Sequence, residues 1–335
     1  MGVWPQVQIL TNQGPVTGIA PLIVSASRAT DIPALYSDWF FERLAAGYLL
    51  WTNPFNRRSQ YVSLERMRAV VFWTKNPAPM MPRLGELARK GIIFYFLVTV
   101  NDYEEEGLEP GLPELAERIE SFRRLSRQLG KERVIWRFDP LLRTERLTPA
   151  RLLAKLERVG AMLHPYTEQL IFSFADIERY RRVRGRLRRR RIDWIEFDEP
   201  SVTLIAEGLR NLNRTWGLSL RTCAERWDLS NYGISPGRCI DEQLLRRIGA
   251  GDDQLRAFLD DLAAGSGSRL KDPGQRPACG CLVSKDIGQY NTCSQDCLYC
   301  YANSSEAVVR RNRQGHDWRG AAISAPAAIL EEPEC

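Results

Sequence analysis

The chain has 335 residues, 44% hydrophobic and 26% charged, an ordinary globular composition with room for a large core. The longest apolar run, GIIFYFLVTV at 91–100, is about half a membrane span, and the start MGVWPQVQIL lacks the charged and apolar regions of a signal peptide. The formal charge is +6, but nine arginines lie within 179–191, and removing them leaves −3, so the basic character is local.

The elements alternate along the chain. Strand candidates are 21–27 (PLIVSAS), 48–53 (YLLWTN), 69–75 (AVVFWTK), 92–100 (IIFYFLVTV), 133–139 (RVIWRFD), 169–176 (QLIFSFAD) and 218–225 (LSLRTCAE). Most are apolar throughout, as expected of parallel strands covered on both faces. Helices are expected over 33–46 before Gly47, over 113–129 before Gly130, from Thr148-Pro149 through Leu163, and over 200–216 before Gly217. A weaker helical pattern lies between 54 and 68. The arginine run reads as a helix interrupted by Gly185. Residues 304–335 read as a helix and a loose tail.

Seven strands alternating with helices imply an α/β fold. No G-x-G-x-x-G follows the first strand, which argues against a dinucleotide fold and favours a closed β/α (TIM-like) barrel. The eighth strand would be SKDIGQY at 284–290. Residues 1–303 then form one barrel, with a loop and helical insertion at 226–292. The strands end in polar residues (SASRATD, WTNPFN, FWTKNP, TVND, RFDP, SFAD, TCAE), which favours a polar site at one mouth of the barrel.

Eight cysteines are present, and the expected cytoplasmic location keeps thiols reduced, so clustered cysteines point to metal. Cys293, Cys297 and Cys300 have the spacing C-x-x-x-C-x-x-C. Thiolates suit zinc or iron–sulfur clusters, and three local thiols suggest a cluster with one iron left open. His316 is the candidate fourth ligand of a zinc alternative. With Cys335 of the tail set aside, the remaining thiols, Cys223, Cys239, Cys279 and Cys281, match in number a second, fully ligated site. An auxiliary 4Fe–4S cluster is favoured there, with zinc or simple buried cysteines as the alternatives.

The triplet spacing, with Tyr299 just before its last cysteine, resembles the radical S-adenosylmethionine (SAM) superfamily. The stretch DIGQYNTCSQDCLYCYAN is similar to its spore photoproduct lyase-like branch. The wider layout of SASRATDIP, FWTKNP, WRFDP, CAE and CGC before the triplet is similar to a functionally uncharacterised bacterial family of that class. The resemblance implies a 4Fe–4S cluster on Cys293, Cys297 and Cys300, with SAM on the fourth iron. It implies reductive cleavage of SAM to a 5′-deoxyadenosyl radical, and an electron donor such as flavodoxin or ferredoxin. Tyr299 would lie near the adenine, unless it is simply a core aromatic.

In that superfamily the triplet normally follows the first barrel strand. Here it follows the last, which implies a circularly permuted barrel. In that register Ser25, Ser27, Arg28 and Asp31 fall where the SAM amino group often binds, although no G-G-E is present. Lys75, Arg137 and Asp139 are candidates for SAM or substrate carboxylates; Arg137 and Asp139 are equally candidates for ion pairs shaping the mouth. The arginine run is either a solvated helix or a phosphate-contacting patch. The alternative to the enzyme is therefore a zinc-stapled protein that binds nucleic acid through 179–191. No membrane partner is expected.

Overall fold

Two sheets form the framework of the computed structural model, which describes residues 3–264, 271–272 and 275–324. In chain order the strands are β1 (Gln6–Thr11), β2 (Gly14–Ile19), β3 (Ile23–Ala26), β4 (Tyr48–Thr52), β5 (Ser59–Ser63), β6 (Ala69–Thr74), β7 (Ile93–Thr99), β8 (Val134–Leu141), β9 (Gln169–Phe174), β10 (Ser219–Thr222), β11 (Ile234–Pro236) and β12 (Lys285–Asp286). The helices are α1 (Ile32–Leu35), α2 (Ser37–Ala46), α3 (Leu84–Arg89), α4 (Leu115–Leu129), α5 (Pro149–Leu163), α6 (Arg181–Arg189), α7 (Glu199–Trp216), α8 (Glu242–Ile248), α9 (Asp253–Ala264) and α10 (Glu306–Gln314).

The main sheet has eight strands in the order β11-β10-β9-β8-β7-β6-β3-β12, and every neighbouring pair is parallel. The last strand of the chain therefore lies beside β3, with Lys285 opposite Val24 and Asp286 opposite Ser25. Among the described residues no ladder joins the outer strands β11 and β12. Their flanking segments do meet: Leu282 N donates to Ile240 O at 3.0 Å.

Side chains alternate across this sheet, as the two-residue period of a strand requires. Val70, Phe72, Phe94, Phe96, Trp136, Phe138 and Phe172 face a core supplied by α2, α4, α5 and α7. Ala69, Val71, Trp73, Tyr95, Leu97, Ile135 and Ile171 face a second core supplied by α8, α9 and three cysteines. Coverage of both faces explains why the strands are apolar throughout. Each large apolar side chain so buried contributes about 1.5–3 kcal/mol.

The small sheet, β1-β2-β5-β4, corrects two expectations. YLLWTN is not a barrel strand; as β4 it pairs antiparallel with β5, and no helix occupies 54–68. A parallel neighbour needs a crossover of a dozen residues or more. The link from Thr52 to Ser59 is a turn, in which Asn53 Oδ1 accepts from Phe55 N at 2.9 Å. β3 pairs directly with β6, and the short β11, at the edge beside β10, brings the main sheet to eight strands instead.

Other boundaries shift less. The expected helix at 33–46 breaks at Tyr36, whose hydroxyl donates to Thr292 O at 2.6 Å. SKDIGQY contributes only two residues to its strand. The expected tail at 321–335 begins as packed chain: Leu50 N donates to Ala321 O at 2.8 Å and Gln289 Nε2 to Ser324 Oγ at 2.8 Å. Residues 325–335, with Cys335, lie outside the described residues.

Candidate functional site

The triplet loop leaves the carboxyl end of β12 and is held on several sides. Thr30 Oγ1 donates to Gln289 O at 2.6 Å, and Asn303 Nδ2 to Cys293 O at 2.7 Å. Gly111 N donates to Gln295 O at 3.2 Å and Leu298 N to Leu108 O at 2.9 Å, so the segment after β7 is laid against the loop. A Cβ at Gly111 would stand 2.6 Å from Ser294 O and 2.7 Å from Gln295 O; one at Gly288 would stand 1.7 Å from Ser27 Oγ. Only glycine permits both approaches.

The arginine run supplies an unexpected part. Arg186 is buried, and its guanidinium donates to Cys297 O at 2.8 Å, Cys300 O at 3.1 Å and Asn303 O at 2.8 Å. Val183 and Leu187, one turn apart on α6, seat the helix on the core and direct Arg186 inward. Arg184 pairs with Glu178 at 2.9 Å, Arg190 with Glu306 at 3.2 Å, and Arg188 lies over Trp194. Arg181, Arg182, Arg189 and Arg191 are exposed.

Cys297 is buried, while Cys293 and Cys300 are half-buried. Burial pushes the Cys293 thiol up to about 12 and Cys297 well above its ordinary value. A bound cation reverses that preference by stabilising thiolates. A cavity of about 490 Å³ opens beside Cys293, lined also by Arg186, Asp296, Asn303 and Arg313.

Tyr299 reaches the strand ends. Lys75 Nζ and Asn101 Nδ2 each donate to its hydroxyl at 2.9 Å, and the hydroxyl donates to Glu109. One donor role and two acceptor roles use the full capacity of a phenol. Lys75 follows β6 and pairs with Glu109 at 2.7 Å; Arg118 of α4 approaches Glu109 at 3.3 Å from the other side. Burial pushes the Glu109 carboxyl up, but Lys75 and Arg118 outweigh it and hold the group below its ordinary value. Asp31 caps α1 through Ala34 N at 3.0 Å, and accepts from Lys75 N at 2.8 Å and from Gln295 Nε2 at 3.1 Å.

The other four cysteines meet elsewhere. Cys223 follows β10, Cys239 follows β11, and Cys279 and Cys281 precede β12. The Cys223 and Cys239 sulfurs are 3.8 Å apart, and Cys239 N donates to Cys281 Sγ at 3.1 Å. Cys281 also interacts through its thiol with Cys239 and Cys279. The sulfurs thus form a row, 223–239–281–279. Among the described residues no three Cys, His, Asp or Glu side chains converge on one point as they do around a single bound ion. A cluster makes no such demand of the triplet, because each of its thiolates binds a different iron.

The expected site residues divide between these two groups. Asp31, Lys75 and Tyr299 serve the triplet. Arg137 points at Cys223 Sγ from 4.0 Å and pairs with Asp139, which also accepts from Ser173 Oγ. Arg28 lies over Trp73 at 5.2 Å and pairs with Asp272 at 3.4 Å, close to Cys281 and Cys239. Ser25 bonds Ser284 Oγ at 2.6 Å, and Ser27 Oγ accepts from Ala29 N at 2.9 Å, so both stitch the turn after β3 to its surroundings. His316 is placed by Ile323 O, 2.7 Å from its Nδ1, and by the edge of Tyr36.

Residues that the sequence reading missed are Glu109, Arg118, Arg186 and Gln295. Asn101 belonged to the strand end TVND without being singled out. The signal for Arg186 was its position in the apolar stripe of Val183 and Leu187; Glu109 lies in a loop and gave none.

The fold and site together define an α/β protein with a large parallel sheet and a three-cysteine loop at the carboxyl ends of its strands. The chain belongs to the family described as domain of unknown function DUF1848, whose model matches residues 23–302. No curated protein matches it. A solved structure described as a candidate alpha-L-fucosidase from Bacteroides thetaiotaomicron shares 12% identity over 76% of this chain and 82% of that one. Its TM-score is 0.25, too low to bear on fold or activity. No helix among the described residues is long and apolar enough to cross a membrane.

Proposed function

We propose that this protein is a radical SAM enzyme on a circularly permuted β/α barrel, with Cys293, Cys297 and Cys300 as the ligands of a 4Fe–4S cluster. The observation that carries the reading is the position of the triplet. It leaves the carboxyl end of β12, which pairs in parallel with β3, and ligands of parallel α/β folds bind at the carboxyl ends of strands. The donor set fits the group, since three soft thiolates leave one iron free for SAM.

Such a cluster, when bound, supplies the electron for reductive cleavage of SAM. The chain's own residues position and shield it. Arg186 fixes the loop carbonyls from behind, and burial of Cys297 keeps water from the centre of the loop. Lys75, Asn101 and Glu109 fix the Tyr299 hydroxyl and so the ring plane beside the last cysteine. Asp31 orients Gln295 inside the loop. The electron comes from a carrier such as flavodoxin or ferredoxin.

The competing reading, zinc in both cysteine groups with nucleic acid on the arginine run, loses part of its contact surface. One arginine is committed to the triplet loop, and two others to acidic partners. The test is SAM cleavage by the reduced, cluster-reconstituted protein. Release of 5′-deoxyadenosine by the wild type and not by Cys297→Ala supports the enzyme. A colourless protein inert to SAM that binds nucleic acid in a salt-sensitive way supports the competitor.

A further inference from the structure

The row of sulfurs 223–239–281–279 lies at the seam of the main sheet. Cys223 and Cys239 stand beyond the ends of β10 and β11, on one edge, while Cys279 and Cys281 lead into β12, on the other. Four thiols from three separate stretches of chain line up there, three of them buried in the second core of the sheet.

We propose that Cys223, Cys239, Cys279 and Cys281 form a structural tetrathiolate site for a single zinc ion, which ties the two edges of the sheet together. The spacing favours one ion over a cluster. Thiolates about 2.3 Å from a tetrahedral zinc lie about 3.8 Å from one another. The Cys223 and Cys239 sulfurs are already 3.8 Å apart. Thiolates of a cluster bind different irons and stand farther apart. Each sulfur turns about a single side-chain bond, so the row closes around an ion by rotation of side chains.

The surroundings suit the charge of that group. One zinc with four thiolates carries a net double negative charge. Two buried guanidinium groups stand beside the sulfurs, and each keeps a buried donor, Arg137 Nε and Arg28 Nη2, with no partner among the described residues. Buried donors rarely stay unpaired, and metal thiolates accept hydrogen bonds from such neighbours. The amide of Cys239 already donates to Cys281 Sγ. Binding forms four Zn–S bonds, releases the thiol protons to solvent and involves no change of oxidation state.

This proposal stands apart from the reading of the triplet, and its test is made without the triplet. The full chain carrying Cys293→Ser, Cys297→Ser and Cys300→Ser is purified anaerobically and its metals are counted. About one zinc per chain is expected, lost on further substitution Cys239→Ser. If that last variant does not fold, the metal-stripped triplet variant is titrated with cobalt(II). Intense visible d–d bands of a tetrahedral tetrathiolate, bleached by zinc, are then expected. Iron with acid-labile sulfide in the triplet-free chain overturns the single-ion site. So does a chain that folds without metal and takes up neither zinc nor cobalt at these thiols.

Discussion

The Arg186 guanidinium donates to the carbonyl oxygen of Cys297 at 2.8 Å, from inside a run of arginines that is otherwise largely at the surface. One residue of a charged helix thus sets the back of the cysteine loop. Its neighbours Arg188 and Arg189, two and three positions on, are exposed and serve no such purpose.

Arg186→Ala strands three carbonyls of the loop. Hydrogen bonds to a charged group contribute about 1.5–3 kcal/mol each but do not add, so a loss of about 3 kcal/mol is expected. Urea unfolding followed by tryptophan fluorescence measures it. Arg188→Ala is expected to change stability by less than about 0.5 kcal/mol. Arg186→Lys should not rescue, because an ammonium lacks the planar fork that spans these acceptors. Equal effects at 186 and 188 would refute the stapling role.

Glu109→Gln leaves the Lys75 and Arg118 charges without their carboxylate. Breaking a buried pair costs about 3–5 kcal/mol. The sign with pH follows from the direction of the shift. Glu109 sits below its ordinary value of 4.5 in the folded state, so its ionised form stabilises the fold above that value. That contribution disappears as the pH falls through the lower, folded value. Wild type and variant should therefore differ most near neutrality and converge in acid. Stability curves that stay parallel down to acid pH would show that the ion pair is not the cause.

Gly111→Ala places a Cβ against two carbonyl oxygens of the triplet loop. Overpacking of this kind costs about 1–3 kcal/mol. Iron retention after cluster reconstitution should fall with it. Gly85→Ala, in α3 where a Cβ meets nothing within 4 Å, is the control and should be neutral or slightly stabilising. Unchanged iron retention in Gly111→Ala would mean that the loop does not rest on this segment.

The main strands were legible because burial on both faces wrote a plain signal: AVVFWTK, IIFYFLVTV, RVIWRFD and QLIFSFAD all became β6 to β9. The small sheet was not, since its strands are half-exposed and short. YLLWTN carries the same apolar signature as a barrel strand; only the brevity of the turn after it separates the two cases. The cysteines were legible as two groups by spacing and count. Which polar residues serve which group was not, because Arg28 in the turn after β3 and Arg137 on β8 are far apart in sequence and reach the same group of thiols only in the assembled sheet. Glu109 gave no sign at all, since its role arises from a loop folding back beneath Tyr299.

The central claim is that the triplet holds a cluster with one iron open to SAM. Electron paramagnetic resonance of the reduced, reconstituted protein, recorded with and without SAM, tests it most directly. A reduced 4Fe–4S signal that changes on adding SAM, and is absent from Cys297→Ala, is the expected result. A signal unaffected by SAM, or one that survives intact in Cys297→Ala, would contradict it.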